Sequence, residues 1–200
     1  MRFDDNYSLW KDSAVTFYKN IKYRPLSEKR RMTLSIGGEA RMEYADFHNE
    51  DWGRKRLGHN NFLLLRYGIY ADIHLGNRFR FFMHWRSALE TGRKDGPRSI
   101  DEDKLNIQNL FADVVILNKI KRSLMLRIGR QELNYGSGRL ISVRDGPNLR
   151  LYFTGLKLLY SSSHFNADAF VMVSDIVSTG ILDNKLKKIQ DFGEFIPPMF

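Results

Sequence analysis

Ten polar side chains stand at alternate positions within otherwise apolar stretches: Glu39, Arg41, Glu43, Arg66, Asp72, Arg80, Arg86, Asp113, Arg127 and Gln131. Carboxylates and guanidiniums spaced two apart on an extended chain share one face, where they form a mixed-sign wall able to hold anionic or polar solutes. Paired carboxylates also hydrolyse glycosides. Here the acids are interleaved with arginines along a regular wall instead of converging on a cleft, so hydrolysis is not expected. The chain has no Gly-x-Ser-x-Gly elbow, no His-Glu-x-x-His pair and no Gly-x-x-x-x-Gly-Lys phosphate cradle. Tyr135-Gly136-Ser137-Gly138-Arg139 is rich in glycine but lacks the strand-to-helix setting of a phosphate site. The five histidines show no metal-ligand spacing, and with no cysteine the chain has no thiolate for zinc, a disulfide or nucleophilic attack. These residues predict a binding or conducting wall, no enzyme and no cofactor.

The elements that must position the wall are β-strands. From Thr33, residues Leu34, Ile36, Gly38, Ala40, Met42 and Tyr44 alternate with Ser35, Gly37, Glu39, Arg41 and Glu43. Leu63, Leu65, Tyr67, Ile69, Ala71, Ile73 and Leu75 alternate with Leu64, Arg66, Gly68, Tyr70, Asp72 and His74; Phe79, Phe81, Met83 and Trp85 alternate with Arg80, Phe82, His84 and Arg86. Strict alternation of this length is a strand signature. Further strands are expected at 106–117, 123–133, 149–161 and 165–173, the first and third of these less regular. In the 149–161 stretch the apolar phase switches, which predicts a bulge near Gly155. Long connections at 47–60, 91–104 and 135–148 alternate with short ones at 76–78, 118–122 and 161–164. An up-and-down meander trimmed at one end and elaborated at the other has this rhythm. A three-residue loop at 76–78 keeps faces consistent, opposing Leu75 to Phe79, Ile73 to Phe81, Ile69 to Trp85, His74 to Arg80 and Tyr70 to His84. A turn centred on Ile120 sets Asp113 across from Arg127 as an ion pair.

The fold class expected is therefore all-β, an antiparallel up-and-down meander of about seven strands in the pattern of a transmembrane β-barrel. No apolar run is long enough for a membrane-spanning helix, and a mean hydropathy of −0.43 fits a barrel whose inner face is polar. Phe79, Phe81 and Trp85 suit one interfacial girdle, and Tyr44 and Phe62 the other. The charge balance, 32 basic against 23 acidic for a net +9, favours an anionic partner. Basic groups at Lys29-Arg30-Arg31, Arg54-Lys55-Arg56 and 119–122 fall at strand ends, where they can meet lipid phosphates or guard edges. The bases are dispersed and form no stripe, so nucleic acid is not an expected partner. The alternative is a soluble β-sheet module binding an acidic polymer; it would need Leu63, Ile69, Phe81 and Trp85 covered, and the one short helix candidate, 7–23, is too small to cover them.

Several longer stretches resemble one family: Arg2-Phe3-Asp4-Asp5-Asn6-Tyr7-Ser8, Ile21-Lys22-Tyr23-Arg24-Pro25-Leu26, Leu34-Ser35-Ile36-Gly37-Gly38-Glu39, 66–76, Gly92-Arg93-Lys94-Asp95-Gly96-Pro97-Arg98, Arg127-Ile128-Gly129-Arg130-Gln131-Glu132-Leu133 and 135–148. Together they span 2–173 and are similar to the alginate export family of Gram-negative outer-membrane porins. The resemblance implies a monomeric transmembrane β-barrel of about eighteen strands, present here in part as about seven strands of the larger barrel, passing anionic polysaccharide or small solutes and set among outer-membrane lipid and lipopolysaccharide. It implies lumenal roles for Glu39, Arg41, Arg66, Asp72, Arg86, Arg127 and Gln131. Three regions are expected: an amino-terminal arm or periplasmic lead-in at 1–32, barrel strands at 33–175, and an atypical tail at 176–200, read as a truncation. The tail loses alternation and carries adjacent Pro197 and Pro198, which cannot sit in a ladder. The start, Met-Arg-Phe-Asp-Asp-Asn-Tyr, has no signal-peptide pattern.

Overall fold

Every alternating stretch contains a β-strand. A computed structural model describes residues 1–5, 7, 10, 16–28, 31–54 and 58–186. Among the described residues nine strands form one antiparallel sheet in chain order: β1 (Arg24–Pro25), β2 (Met32–His48), β3 (His59–Leu75), β4 (Phe79–Thr91), β5 (Asp103–Lys119), β6 (Arg122–Gln131), β7 (Phe153–Ser162), β8 (Asn166–Ile176) and β9 (Lys185–Leu186). The seven long strands are the expected ones; β1 and β9 are two-residue additions. Among the described residues one α-helix, α1 (Phe17–Lys22), lies within the 7–23 candidate, its Lys19 amide capped by Thr16 Oγ1 at 3.2 Å. The basic residues Lys29, Arg30, Lys55 and Arg56, and the tail from 187 with its two prolines, lie outside the described residues.

Register follows from the two-residue period, because a slip of one would exchange the faces. The β3–β4 hairpin pairs Leu75 with Phe79, Ile73 with Phe81, Ile69 with Trp85, His74 with Arg80 and Tyr70 with His84. Gly76 opens its three-residue loop at φ 62°, a left-handed position that glycine takes without steric cost. Asp113 faces Arg127, though by another route than a turn centred on Ile120: Lys119 pairs with Arg122, and a bulge between Val115 and Leu117 shifts the ladder. Further bulges lie between β4 and β5, after His84 and after Arg86. They put Asn106, Gln108 and Asn109 close together in buried positions, which is why this stretch looks irregular in sequence.

Two sequence expectations are overturned. No bulge occurs at Gly155, which pairs in register with Gly129 and Met172. The apolar phase switches because Leu149 and Leu151, which set the first phase, belong to a connection before β7 and not to a strand. Phe62 is not in an outer girdle: it is buried, stacks on Phe47 at 5.7 Å and lies under the Arg93 guanidinium at 3.6 Å. Its neighbour Tyr44 does stand exposed on the apolar face, with Met42, Tyr67, Ile69, Phe79, Phe81, Trp85, Leu156 and Val171.

Candidate functional site

The polar face of the sheet carries all ten candidate residues. At the short-turn end, Asp72 and Arg80 form a two-point pair at 2.8 and 2.9 Å, with His74 Nε2 3.3 Å from the same carboxylate. Next to it Arg127 grips Asp113 at 2.6 and 2.8 Å, and Arg80 lies 3.7 Å from Asp113 on the other side. Two-point guanidinium–carboxylate contacts fix both orientation and distance, so this pair of pairs forms a rigid row across β3, β4, β5 and β6.

Toward the long-loop end the ladder runs Glu39, Gly68, Arg86 and Asn106 across four strands. Gly68 leaves room in the row: a Cβ there would lie 2.5 Å from His84 Nε2. Glu39 accepts from Arg2 at 3.0 Å and lies 3.7 Å from Arg66 Nε. Arg41 and Arg66 sit directly opposite as like charges. Arg41 bonds Glu43 on its own strand, and Asp145, from the connection 132–152, lies between the two arginines: its carbonyl accepts from Arg41 at 3.4 Å and its carboxylate lies 3.8 Å from Arg66. Arg86 is 1% exposed and lies 3.6 Å from Asp103, donating to the Arg150 carbonyl at 3.3 Å. Its Nε and Nη2, both amide atoms of the fully buried Gln131, and Arg66 Nε have no hydrogen-bond partner among the described residues.

Much of this face is covered, which alternation alone does not reveal. The 132–152 connection folds inward from the long-loop end. Its anchor is Asn148, fully buried, whose amide donates to the carbonyls of Leu65 at 3.0 Å, Asp101 at 3.0 Å and Leu89 at 3.4 Å. The Asn148 main chain donates to Asp101 Oδ1 at 2.8 Å and accepts from Arg66 at 3.3 Å. Glu132, 3.3 Å from Arg150, has its carboxyl pushed up by burial, against the opposing pull of Arg150 and a hydrogen bond from Gln108. Asp101, Asp103, Glu132, Asp145, Asn148 and Arg150 are the site residues that sequence reasoning missed. The available signal was the polarity of two long connections that a solvent-facing loop would not need to bury.

The second cover comes from the short-turn end. Residues 1–5 lie on the polar face, with Phe3 buried against Tyr70, Phe82 and Phe111. Between the arm, the 132–152 connection and the turn at 76–78 lies a cavity of about 1280 Å³. Residues of β2, β3, β4, β6 and β7 line it, so distant strands of the sheet face a common space.

A third polar cluster ties the long connections together. Glu50 bonds Arg93 at 2.6 Å and Asn60 at 2.6 Å, and Arg93 also bonds Glu90. Burial opposes the charge on Glu50, but bonds from Arg93 and Asn60 outweigh it and hold the carboxyl below its ordinary range. Among the described residues no cluster of His, Asp or Glu suits a metal ion.

In comparisons with known proteins, a family model described as alginate export matches residues 32–183. No curated protein and no solved structure matches the chain.

Proposed function

Because the chain belongs to the alginate export family, whose members are outer-membrane transport porins, we propose that its sheet forms part of the wall of a charged pore passing anionic polysaccharide or small anionic solutes, without chemistry on them. The observation that carries this reading is the division of one sheet into two unlike faces. One presents Ile69, Phe81 and Trp85 at 55%, 41% and 37% exposure, although an apolar face of this size in water would be covered. The other presents Glu39, Arg41, Glu43, Arg66, Asp72, Arg80, Arg86, Asp113, Arg127 and Gln131. Lipid fits the first and a water-filled lumen the second.

Anion preference is inferred from the arginines. Most wall carboxylates are already engaged by a guanidinium, so they offer little to a passing cation. Buried N–H groups of Arg66 and Arg86 have no hydrogen-bond partner among the described residues, and a solute carboxylate reaching them would replace hydration lost on entry. Outer-membrane placement, contact with lipid and lipopolysaccharide, and a monomeric barrel are part of the same proposal.

The test is insertion of the full gene product into planar bilayers, with heat-modifiable gel migration as the readout of folding. An anion-selective conductance that weakens with Arg66→Glu supports the reading. A soluble, non-conducting sheet protein that binds uronate polymer would overturn it in favour of a binding module.

A further inference from the structure

Two phenylalanines are out of place on the polar wall. Phe82 and Phe111 face the same side as Arg80, Asp113 and Arg127, yet are 0% and 1% exposed and stack on each other at 5.3 Å. An aromatic pair on a water-lined wall needs a cover, and Phe3 supplies it. Its ring meets Phe82 and Phe111 edge-on at 5.8 and 5.2 Å. The Arg127 guanidinium lies 4.7 Å from the Phe3 ring centroid, and Arg80 donates to the Phe3 carbonyl at 2.6 Å. The ion pairs Asp72–Arg80 and Asp113–Arg127 thus aim both arginines at one socket.

We propose that residues 1–5 form a removable plug of the pore, entering from the short-turn end and seated by Phe3 in the Phe82–Phe111 socket. This rests on the pore reading above. Three features support it. First, the arm meets the inward connection from the opposite end: Arg150 Nη2 lies 3.4 Å from Met1 Sδ, so the two covers touch across the wall. Second, the hold is concentrated at one side chain. Beyond Phe3, Met1 packs at the edge of the same cluster and Arg2, 48% exposed, pairs with Glu39, while Asp4 and Asp5 stand exposed at the cavity. A pair with one partner half open to solvent holds weakly, so the arm leaves as a unit when Phe3 leaves. Third, withdrawal uncovers a ready-made surface, two phenyl rings flanked by two guanidiniums, which suits the apolar face and carboxylate of a uronate ring and would favour opening when such a solute is present.

The experiment compares conductance of the full gene product with that of its Phe3→Ala, Phe3→Leu and Arg2→Glu variants in the same bilayers. Neither residue belongs to a strand, so heat-modifiable migration should be retained. Phe3→Ala should raise the open fraction by about tenfold or more, since a buried phenyl supplies most of the seating. Arg2→Glu, which sets like charges against each other, should give a smaller rise, and Phe3→Leu should stay near wild type. Equal conductance across wild type, Phe3→Ala and Arg2→Glu would overturn the plug while leaving the pore intact. Folded, inserted protein that never conducts in any form would overturn the pore reading itself.

Discussion

Asn148 is the residue whose loss should most clearly free the inward connection. Asn148→Ala removes donors to Leu65 O and Asp101 O at 3.0 Å, and a longer contact to Leu89 O. The strand carbonyls of Leu65 and Leu89 have ladder or solvent alternatives, but the Asp101 carbonyl belongs to a fully buried residue. Two net hydrogen bonds at about 1 kcal/mol each, plus about 1–2 kcal/mol for the stranded carbonyl, give a loss of about 3–4 kcal/mol. The Asn148 main-chain bonds to Asp101 and Arg66 survive, so the loop should open locally while the sheet stays folded. Hydrogen exchange reads this directly at two amides of the segment, Leu149 bonded to Ile100 O at 3.0 Å and Leu151 bonded to Val143 O at 2.7 Å. Their protection should fall by about two orders of magnitude or more, at about 1.4 kcal/mol per tenfold, with strand amides unchanged. Asn148→Asp should be worse, since it turns a donor into a charge facing three carbonyl oxygens. Protection of Leu149 and Leu151 within about threefold of wild type would show that Asn148 does not anchor the loop.

Three further outcomes are expected. Asp113→Asn should lower stability by about 3 kcal/mol by leaving the buried Arg127 without its charge partner, and Asp113→Leu combined with Arg127→Met should recover part of that, both read from thermal unfolding in detergent. The Glu50 carboxyl has a folded pKa below its unfolded 4.5, so its tie to Arg93 and Asn60 is fully present above that value and lost as pH falls through the folded pKa; the protection factor of the Lys94 amide, which bonds Asn60 at 3.0 Å, should fall on acidification once the pH dependence of intrinsic exchange is divided out, and a constant protection factor down to about pH 3 would count against the tie. Gly68→Ala should displace His84 and loosen the Glu39–Arg86 row at a cost of about 1–2 kcal/mol, measured by thermal unfolding, whereas Gly38→Ala would test the sheet backbone instead, since a Cβ there lies 2.6 Å from the Gly68 carbonyl.

The strands, their order and two registers were legible because a period of two admits no compromise: a side chain on an extended chain takes one face or the other. That rule placed Arg66, Asp72, Arg80, Asp113 and Arg127 on a common wall, and the opposition of Asp113 to Arg127 could be counted along the chain. It failed where period ends. Gln108 is an added residue in a bulge, and alternation has no place for it. Phe62 keeps the parity of Arg66, but its aromatic character suggested a lipid girdle; the ring instead supports Arg93. The inward course of 132–152 depends on Asn148 meeting carbonyls more than fifty residues away in sequence, a match that no local pattern announces. The arm is expected as a lead-in, and only the packing of Phe3 against three strands shows its course over the wall.

Strand direction has a consequence for how the sheet can be completed. Six successive antiparallel pairings connect β2 to β8, so these two strands point the same way. Laid edge to edge in one orientation, two copies of this sheet would meet along parallel seams. An all-antiparallel ring requires an odd number of strands between β8 and β2, and β9, already reversed against Asp175 and Ile176, is aligned as the first of them.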